Sequence, residues 1–317
     1  MTATRIKLGI SRCLMGDCVR YDGMHKHDHF LTDTLGKYVD YIPVCPEVEI
    51  GLSIPREAMR LVGSVNAPRL MTQKTGIDYT ERMQTWAARR VVELQKEGLC
   101  GFVFKAKSPS SGMERVKIYT PKGDPAGSGP GMFARVFMTH FPLLPCEDEA
   151  RLNDVDIREN FIDRIFTLHR YRETISQDRS VRSLTHFHAQ HKYLLMTHSE
   201  KHAREMGKLL AKAKTQALAQ VITRYEVLLL EAMTLRATVS KHVNVLLHMM
   251  GFFKEHLTGD EKQELLGIIG DYRNEHVPLI VPVTLINHFA RKYSTAYLLD
   301  QVYLHPHPAE LKLRNHA

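Results

Sequence analysis

No apolar run in this sequence is long enough to cross a bilayer; the longest, Val277 to Ile286, is interrupted by Pro278 and Pro282. The N-terminus has no apolar h-region, so a cytoplasmic protein is expected. Cysteine is absent after residue 146, and the five present (13, 18, 45, 100 and 146) include no Cys-x-x-Cys pair. That spacing excludes zinc ribbons and the tight cysteine run of bacterial ferredoxins, and without a leader it favours thiols or metal ligands over a disulfide framework. There is neither a Walker loop nor a dinucleotide fingerprint, so neither of those nucleotide-binding modes is encoded. Basic residues exceed acidic ones by eight, which permits an anionic partner, yet no nucleic-acid motif accompanies them. Hydrophobic and charged contents of 44% and 25% are those of an ordinary globular chain, and 317 residues suffice for two domains.

The first half reads as α/β. Ile6 to Ser11, Val39 to Val44 and Leu99 to Phe104 are short apolar stretches suited to strands, and each ends in a polar loop. In open α/β sheets, chemistry collects outside the carboxyl ends of the strands. Those ends deliver Cys13, Cys45 and the loop Lys105-Ala-Lys-Ser-Pro-Ser-Ser-Gly112. Arg56, Lys105, Lys107 and Arg115 are cations that could hold negative charge there. Cysteines distant in sequence but gathered at strand ends suggest a soft-metal site, with loop thiols the alternative. His25, His27 and His29 alternate, so an extended segment would place them on one side as a metal clip or a polar surface loop. The pattern predicts helices over Phe30 to Tyr38, from Asp78 to about Glu97, from Met132 to about Thr139 and over Arg151 to Arg164. A further strand is expected at Val116 to Tyr119. The glycine-rich stretch Gly123 to Gly131 reads as a turn-rich connection or an anion cradle at the helix start.

Cys13-Leu-Met-Gly with Arg20-Tyr-Asp-Gly23, then Pro43-Val-Cys-Pro-Glu47, then Lys107-Ser-Pro-Ser-x-Gly112 resemble the three-part signature of the 2-thiouracil desulfurase family. The resemblance covers roughly residues 6 to 164. It implies one cluster ligand from each motif, a 4Fe–4S cluster with an open fourth iron, and desulfuration without net electron transfer. By the same resemblance Glu47 and Ser108 are catalytic, and Arg20, Asp22 and Lys107 bind substrate. The family carries cysteine where this chain has Ser111, a hard oxygen donor. Three outcomes follow: Cys18 supplies the missing thiolate, Ser111 itself ligates, or the cluster is lost.

From about Val181 the pattern turns helical and rich in histidine. Helices are expected over Ala189 to Lys214, Thr215 to about Ser240, Lys241 to His256, Lys262 to Tyr272 and Val283 to Tyr293, with Asp260 a cap and Pro278 to Pro282 a stiff extended connection. His198 and His202 share a face, and with Glu226 and Glu231 they could build a metal site, although no Glu-x-x-His pair is present. His191-Lys192, His198-Ser199, His242 to His248, Val277 to Pro282 and Gln301-x-Tyr-Leu-x-Pro-His307 resemble a second family, an uncharacterised helical domain found fused behind the desulfurase-like one.

The organisation expected is an α/β domain with a mainly parallel sheet (1–165), a linker or helix (166–185) and an all-α bundle (186–317). The leading reading is a two-domain desulfurase acting on a small thiolated pyrimidine or related thiocarbonyl compound, with the helical domain covering or regulating the site. The second is a cluster-free binding or scaffold module, for thiolated RNA. A zinc protein built on His25, His27 and His29 is the third.

Overall fold

A computed structural model describes residues 5–315. In chain order the first unit contains β1 (Ile6–Ser11), β2 (Val39–Val44), a one-turn α1 (Pro46–Glu49), β3 (Met59–Gly63), β4 (Pro68–Thr72) and α2 (Thr80–Lys96). β5 (Phe102–Phe104), β6 (Val116–Tyr119), β7 (Pro125–Gly129), α3 (Met132–His140) and β8 (Cys146–Asp148) complete it. Then come α4 (Val155–Gln177), α5 (Val181–Ala211), α6 (Leu218–Thr234), α7 (Val239–Met250), α8 (Gly259–Arg273), α9 (Ile280–Lys292) and the short α10 (Ala296–Leu299). The division between the two compact units falls within α4, between Phe161 and Ile162.

The first sheet has the order β2-β1-β5-β8 with every pair parallel, so all four carboxyl ends share one edge. The inner strands are covered on both faces, which explains why β1 and β5 read as mostly apolar. Ile6, Leu8, Gly9, Ile10 and Ser11 of β1 and all of β5 are buried, with Lys7 the exposed exception. Gly9 lies opposite Phe102, and a Cβ there would stand 2.2 Å from the Phe102 ring. The ring therefore occupies the space a side chain on β1 would need. Phe102 also packs at a tilt against Phe104 and Phe137 at centroid separations of 4.3 and 4.7 Å, and Trp86 of α2 meets Phe133 of α3 at 5.2 Å. This aromatic core clamps α2 and α3 to β5 and so fixes where the loop after β5 emerges.

A second, mixed sheet of order β4-β3-β6-β7 was not expected from the sequence. It includes β7, cut from the glycine-rich stretch, which pairs antiparallel with β6. The remaining differences are local. Phe30–Thr34 is a single wide π-type turn followed by a 3-10 turn at Leu35–Lys37. The charged helix begins at Val155, after a 3-10 turn at Arg151–Asn153, and continues to Gln177.

The second unit is all-helical. α8 is capped by Thr258, not Asp260: the Thr258 hydroxyl accepts from the Glu261 amide while the Glu261 carboxylate accepts from the Thr258 amide. Pro282 belongs to the first turn of α9, where its missing N–H costs nothing, so no extended connection spans Pro278 to Pro282. α5 is broken at Ser199, whose extended backbone interrupts the helix.

Candidate functional site

Three loops leave the shared carboxyl edge and enclose a cavity of about 410 Å³, a size suited to a small molecule. From β1 come Ser11, Cys13, Arg20 and Lys26; from β2, Cys45, Glu47 and Arg56; from β5, Lys105, Lys107, Ser108 and Ser111. Of the residues singled out in the sequence, Cys13, Cys45, Ser111, Glu47, Ser108, Arg20 and Lys107 line this one cavity. Cys18 is exposed and absent from the lining, so it is not positioned to replace a ligand at Ser111. Asp22 also lies outside the lining, 3.4 Å from the Arg20 guanidinium that it helps to orient. Arg115 is 83% exposed beside Glu114 and takes no part.

The loop after β5 is held from both ends. Ser11 Oγ accepts from the Lys105 amide at 2.8 Å, and the Lys105 ammonium is paired with Glu149, which also accepts from the Ala106 amide. Lys107 takes the left-handed conformation (φ 61°) that turns the chain into the cavity. Gly112 is required by space: a Cβ there would lie 2.3 Å from Val116 and 2.7 Å from the Ser108 carbonyl. The Pro109 carbonyl accepts from the Met132 amide, and the Ser110 carbonyl from those of Phe133 and Ala134. The first turn of α3 is thereby capped by the loop, so the amides of Met132, Phe133 and Ala134 are taken up and do not form the anion cradle that stood as the alternative to a turn-rich connection.

Glu47 is the carboxylate at the centre of the lining. Ser110 Oγ donates to its Oε1, Ser108 Oγ lies 3.0 Å from Ser110 Oγ, and the Ser111 amide donates to Ser108 Oγ at 3.1 Å. The result is a hydroxyl chain from Ser108 through Ser110 to Glu47. Arg56, only 8% exposed, stands 3.9 Å from Glu47 Oε2, and its buried Nε–H has no hydrogen-bond partner among the described residues. Ser110 was invisible to sequence reasoning because nothing in Ser-Pro-Ser-Ser says which hydroxyl meets a carboxylate 63 positions earlier. Arg56 carried a signal only as a cation near a strand end.

The two cysteines are buried thiols facing the same space. Burial pushes Cys13 up to about 11 against the opposing pull of Lys105. Burial and then the Glu47 charge, whose Oε2 is 3.7 Å from the sulfur, push Cys45 up to about 12. Without a cation both remain protonated at neutral pH, and a bound metal would displace those protons. For an iron–sulfur cluster the donor set fits at Cys13 and Cys45. The third position, Ser111, is 4% exposed in the same lining and offers oxygen.

Three histidines of the second unit, His191, His198 and His242, are buried and bonded inside the helical bundle. His191 Nδ1 bonds the Phe187 carbonyl at 2.8 Å, His198 Nδ1 the Leu235 carbonyl at 2.7 Å, and His242 Nδ1 the Tyr303 hydroxyl at 3.0 Å. Burial lowers His191 and His242 to about 3, which keeps both neutral. His202, on the face expected for a metal site with Glu226 and Glu231, bonds Ser199 Oγ at 2.7 Å.

The family described as 2-thiouracil desulfurase matches residues 8–149, and one described as a protein of unknown function, DUF1722, matches residues 192–308. An uncharacterized protein, YbgA, of Escherichia coli (strain K12) is 29% identical over 153 residues, which is 48% of this chain and 90% of that protein. An uncharacterized protein, YbbK, of Bacillus subtilis (strain 168) is 29% identical over 111 residues, 32% of this chain and 71% of that one. The solved structure of a 4Fe-4S-dependent thiouracil desulfidase, TudS, is 27% identical, covers 49% of this chain and 98% of its own, and superposes with a TM-score of 0.40. The chain thus joins a 2-thiouracil desulfurase family domain to a DUF1722 family domain.

Proposed function

We propose that the N-terminal domain removes sulfur from a small thiolated pyrimidine, replacing C=S by C=O and releasing sulfide. One observation carries this reading: the three ligand positions of the family signature, Cys13, Cys45 and Ser111, line one cavity with Glu47 and Ser108. Cys13, Cys45 and Ser111 would hold the cluster, which when bound supplies an open, soft Lewis-acidic iron for the substrate's sulfur.

The chain's own residues then have distinct tasks. Arg56 and Arg20 line the cavity as donors for the pyrimidine's carbonyl and ring acceptors. Glu47 takes a proton from the water that adds to the thiocarbonyl carbon and returns it as sulfide leaves. Water's oxygen stays on carbon, its two protons pass to Glu47 and the departing sulfur, and no electrons are gained or lost. Ser108 and Ser110 hold Glu47 in place, and the hydroxyl nearest the reacting carbon donates to the negative charge that develops there.

The test is anaerobic purification with iron and acid-labile sulfide analysis, followed by sulfide release from 2-thiouracil. Bound iron and sulfide that fall on Cys45→Ala, rise on Ser111→Cys and accompany turnover would support the reading. An iron-free protein after reconstitution, in wild type and Ser111→Cys alike, would overturn it. The net charge of +8 supports a second substrate form, thiolated RNA. Thiolated tRNA assayed beside the free base, at low and high salt, separates the two.

A further inference from the structure

The loop that follows Cys13 carries a second cluster of metal-binding side chains, separate from the cavity. His27, His29 and Asp33 each place a ligand atom within 4.8 Å of the other two, and no other such group of His, Cys, Asp and Glu occurs among the described residues. None of the three lines the cavity. The geometry points to a divalent transition-metal site here, of the zinc class, built from two imidazoles and one carboxylate.

The local fold explains the convergence. The Lys26 amide donates to the Cys13 carbonyl at 2.9 Å and the Asp28 amide to the Leu14 carbonyl at 3.0 Å, so the backbone around His27 is pinned to the Cys13 loop. Asp28 Oδ1 accepts from the Leu31 amide at 3.0 Å and starts the wide turn Phe30–Thr34, which carries Asp33. One turn separates His29 from Asp33, and their side chains meet at 2.8 Å between Nδ1 and Oδ2. The His27 ring lies edge-on to that of His29 at 4.4 Å. His27 also packs over Gly16, where a Cβ would reach 3.6 Å from its ring.

Two imidazoles and a carboxylate form a donor set for zinc, with a remaining position left to water. Zinc would take the place between His29 Nδ1 and Asp33 Oδ2 that their hydrogen bond now fills. Zinc bonds of about 2.0–2.2 Å draw the three side chains closer than they stand now. The required movement is side-chain rotation, since His29 and Asp33 are 78% and 62% exposed. Because His27 is tied through Lys26 and Asp28 to the carbonyls of Cys13 and Leu14, an ion here braces the loop that presents Cys13 and Lys26 to the cavity.

Zinc titration of the full chain, read by equilibrium dialysis with metal analysis and by the thermal midpoint, tests this. The thiols of Cys13 and Cys45 also take zinc, so the comparison is between wild type and His29→Gln or Asp33→Asn, which leave those thiols in place. The expected result is one more zinc per chain in wild type, with affinity at that site reduced at least tenfold in either variant. Cobalt substituted at this site should show ligand-field bands without thiolate charge transfer. Equal stoichiometry and equal affinity in wild type and both variants, with folding of each verified by circular dichroism, would overturn the proposal.

Discussion

Ser110 donates a hydrogen bond to Glu47, joining the loop after β5 to the turn after β2 across the cavity. Removing it leaves the carboxylate with Arg56 at 3.9 Å as its remaining charged neighbour in the lining. A hydrogen bond to a charged group contributes about 1.5–3 kcal/mol, roughly ten- to a hundredfold in rate. Ser110→Ala is therefore expected to lower kcat for sulfide release by that factor with little change in KM. Glu47→Gln should cost more, about a hundredfold or greater. Equal, mild effects from both variants would detach Glu47 from the chemistry.

The buried thiols make a prediction about pH. With Cys13 at about 11 and Cys45 at about 12, both are protonated through neutrality in cluster-free protein, and reactivity should climb with pH toward those values. Cys18 is exposed. Timed alkylation at pH 8, read peptide by peptide by mass spectrometry, should modify Cys18 at least a hundredfold faster than Cys13, with Cys45 slowest. Comparable rates at all three would show that the cavity is not closed as described.

Gly9→Ala introduces a methyl group where the Phe102 ring already stands. Overpacking of this kind costs about 1–3 kcal/mol. Because Phe102 also positions β5, denaturant unfolding should show the loss, and iron loading should fall with it.

The Thr258–Glu261 capping box governs the start of α8. Thr258→Ala is expected to cost about 1 kcal/mol in chemical denaturation. Glu261 also accepts from Lys292 and Tyr293, and these bonds depress its carboxyl to about 2, with Lys292 the largest cause. A depressed carboxyl stabilises above its ordinary range near 4.5 and loses that contribution as pH falls toward 2. The acid-side stability loss should thus be smaller in Glu261→Gln than in wild type.

The sequence made the carboxyl edge legible because β1 and β5 are largely buried and apolar and because β2, though its Asp40 and Pro43 are exposed, still ends in the buried Val44 before Cys45. Of the second sheet, only β6 was legible as a strand. β7 is Pro-Ala-Gly-Ser-Gly, with no side chain to mark a strand, and is held by backbone pairing with β6. β4 opens on a proline, a turn signal in sequence that is allowed at a strand's first residue. In the first sheet, β8 was equally hidden: it is Cys-Glu-Asp, whose acids are buried at the sheet edge. Within the site, the cysteines and Glu47 were visible as chemistry at strand ends. The bond from Ser110 to Glu47 was not, because it depends on which way a three-serine loop turns at Lys107. Nor could the sequence separate Cys18 from Cys13, five positions apart on one loop but on opposite sides of a burial boundary.

The carbonyls of Pro109 and Ser110 close the first turn of α3. Loops that carry chemistry commonly open and close independently of the framework beneath them. This one gives its carbonyls to a core helix, so the amides of Met132, Phe133 and Ala134 should exchange with solvent only as fast as the loop lets go of them. Ligand entry therefore requires little ordering of Ser108 to Ser111, and adaptation to differently shaped substrates falls to Arg20 and Lys26, which the loop after β1 brings to the lining.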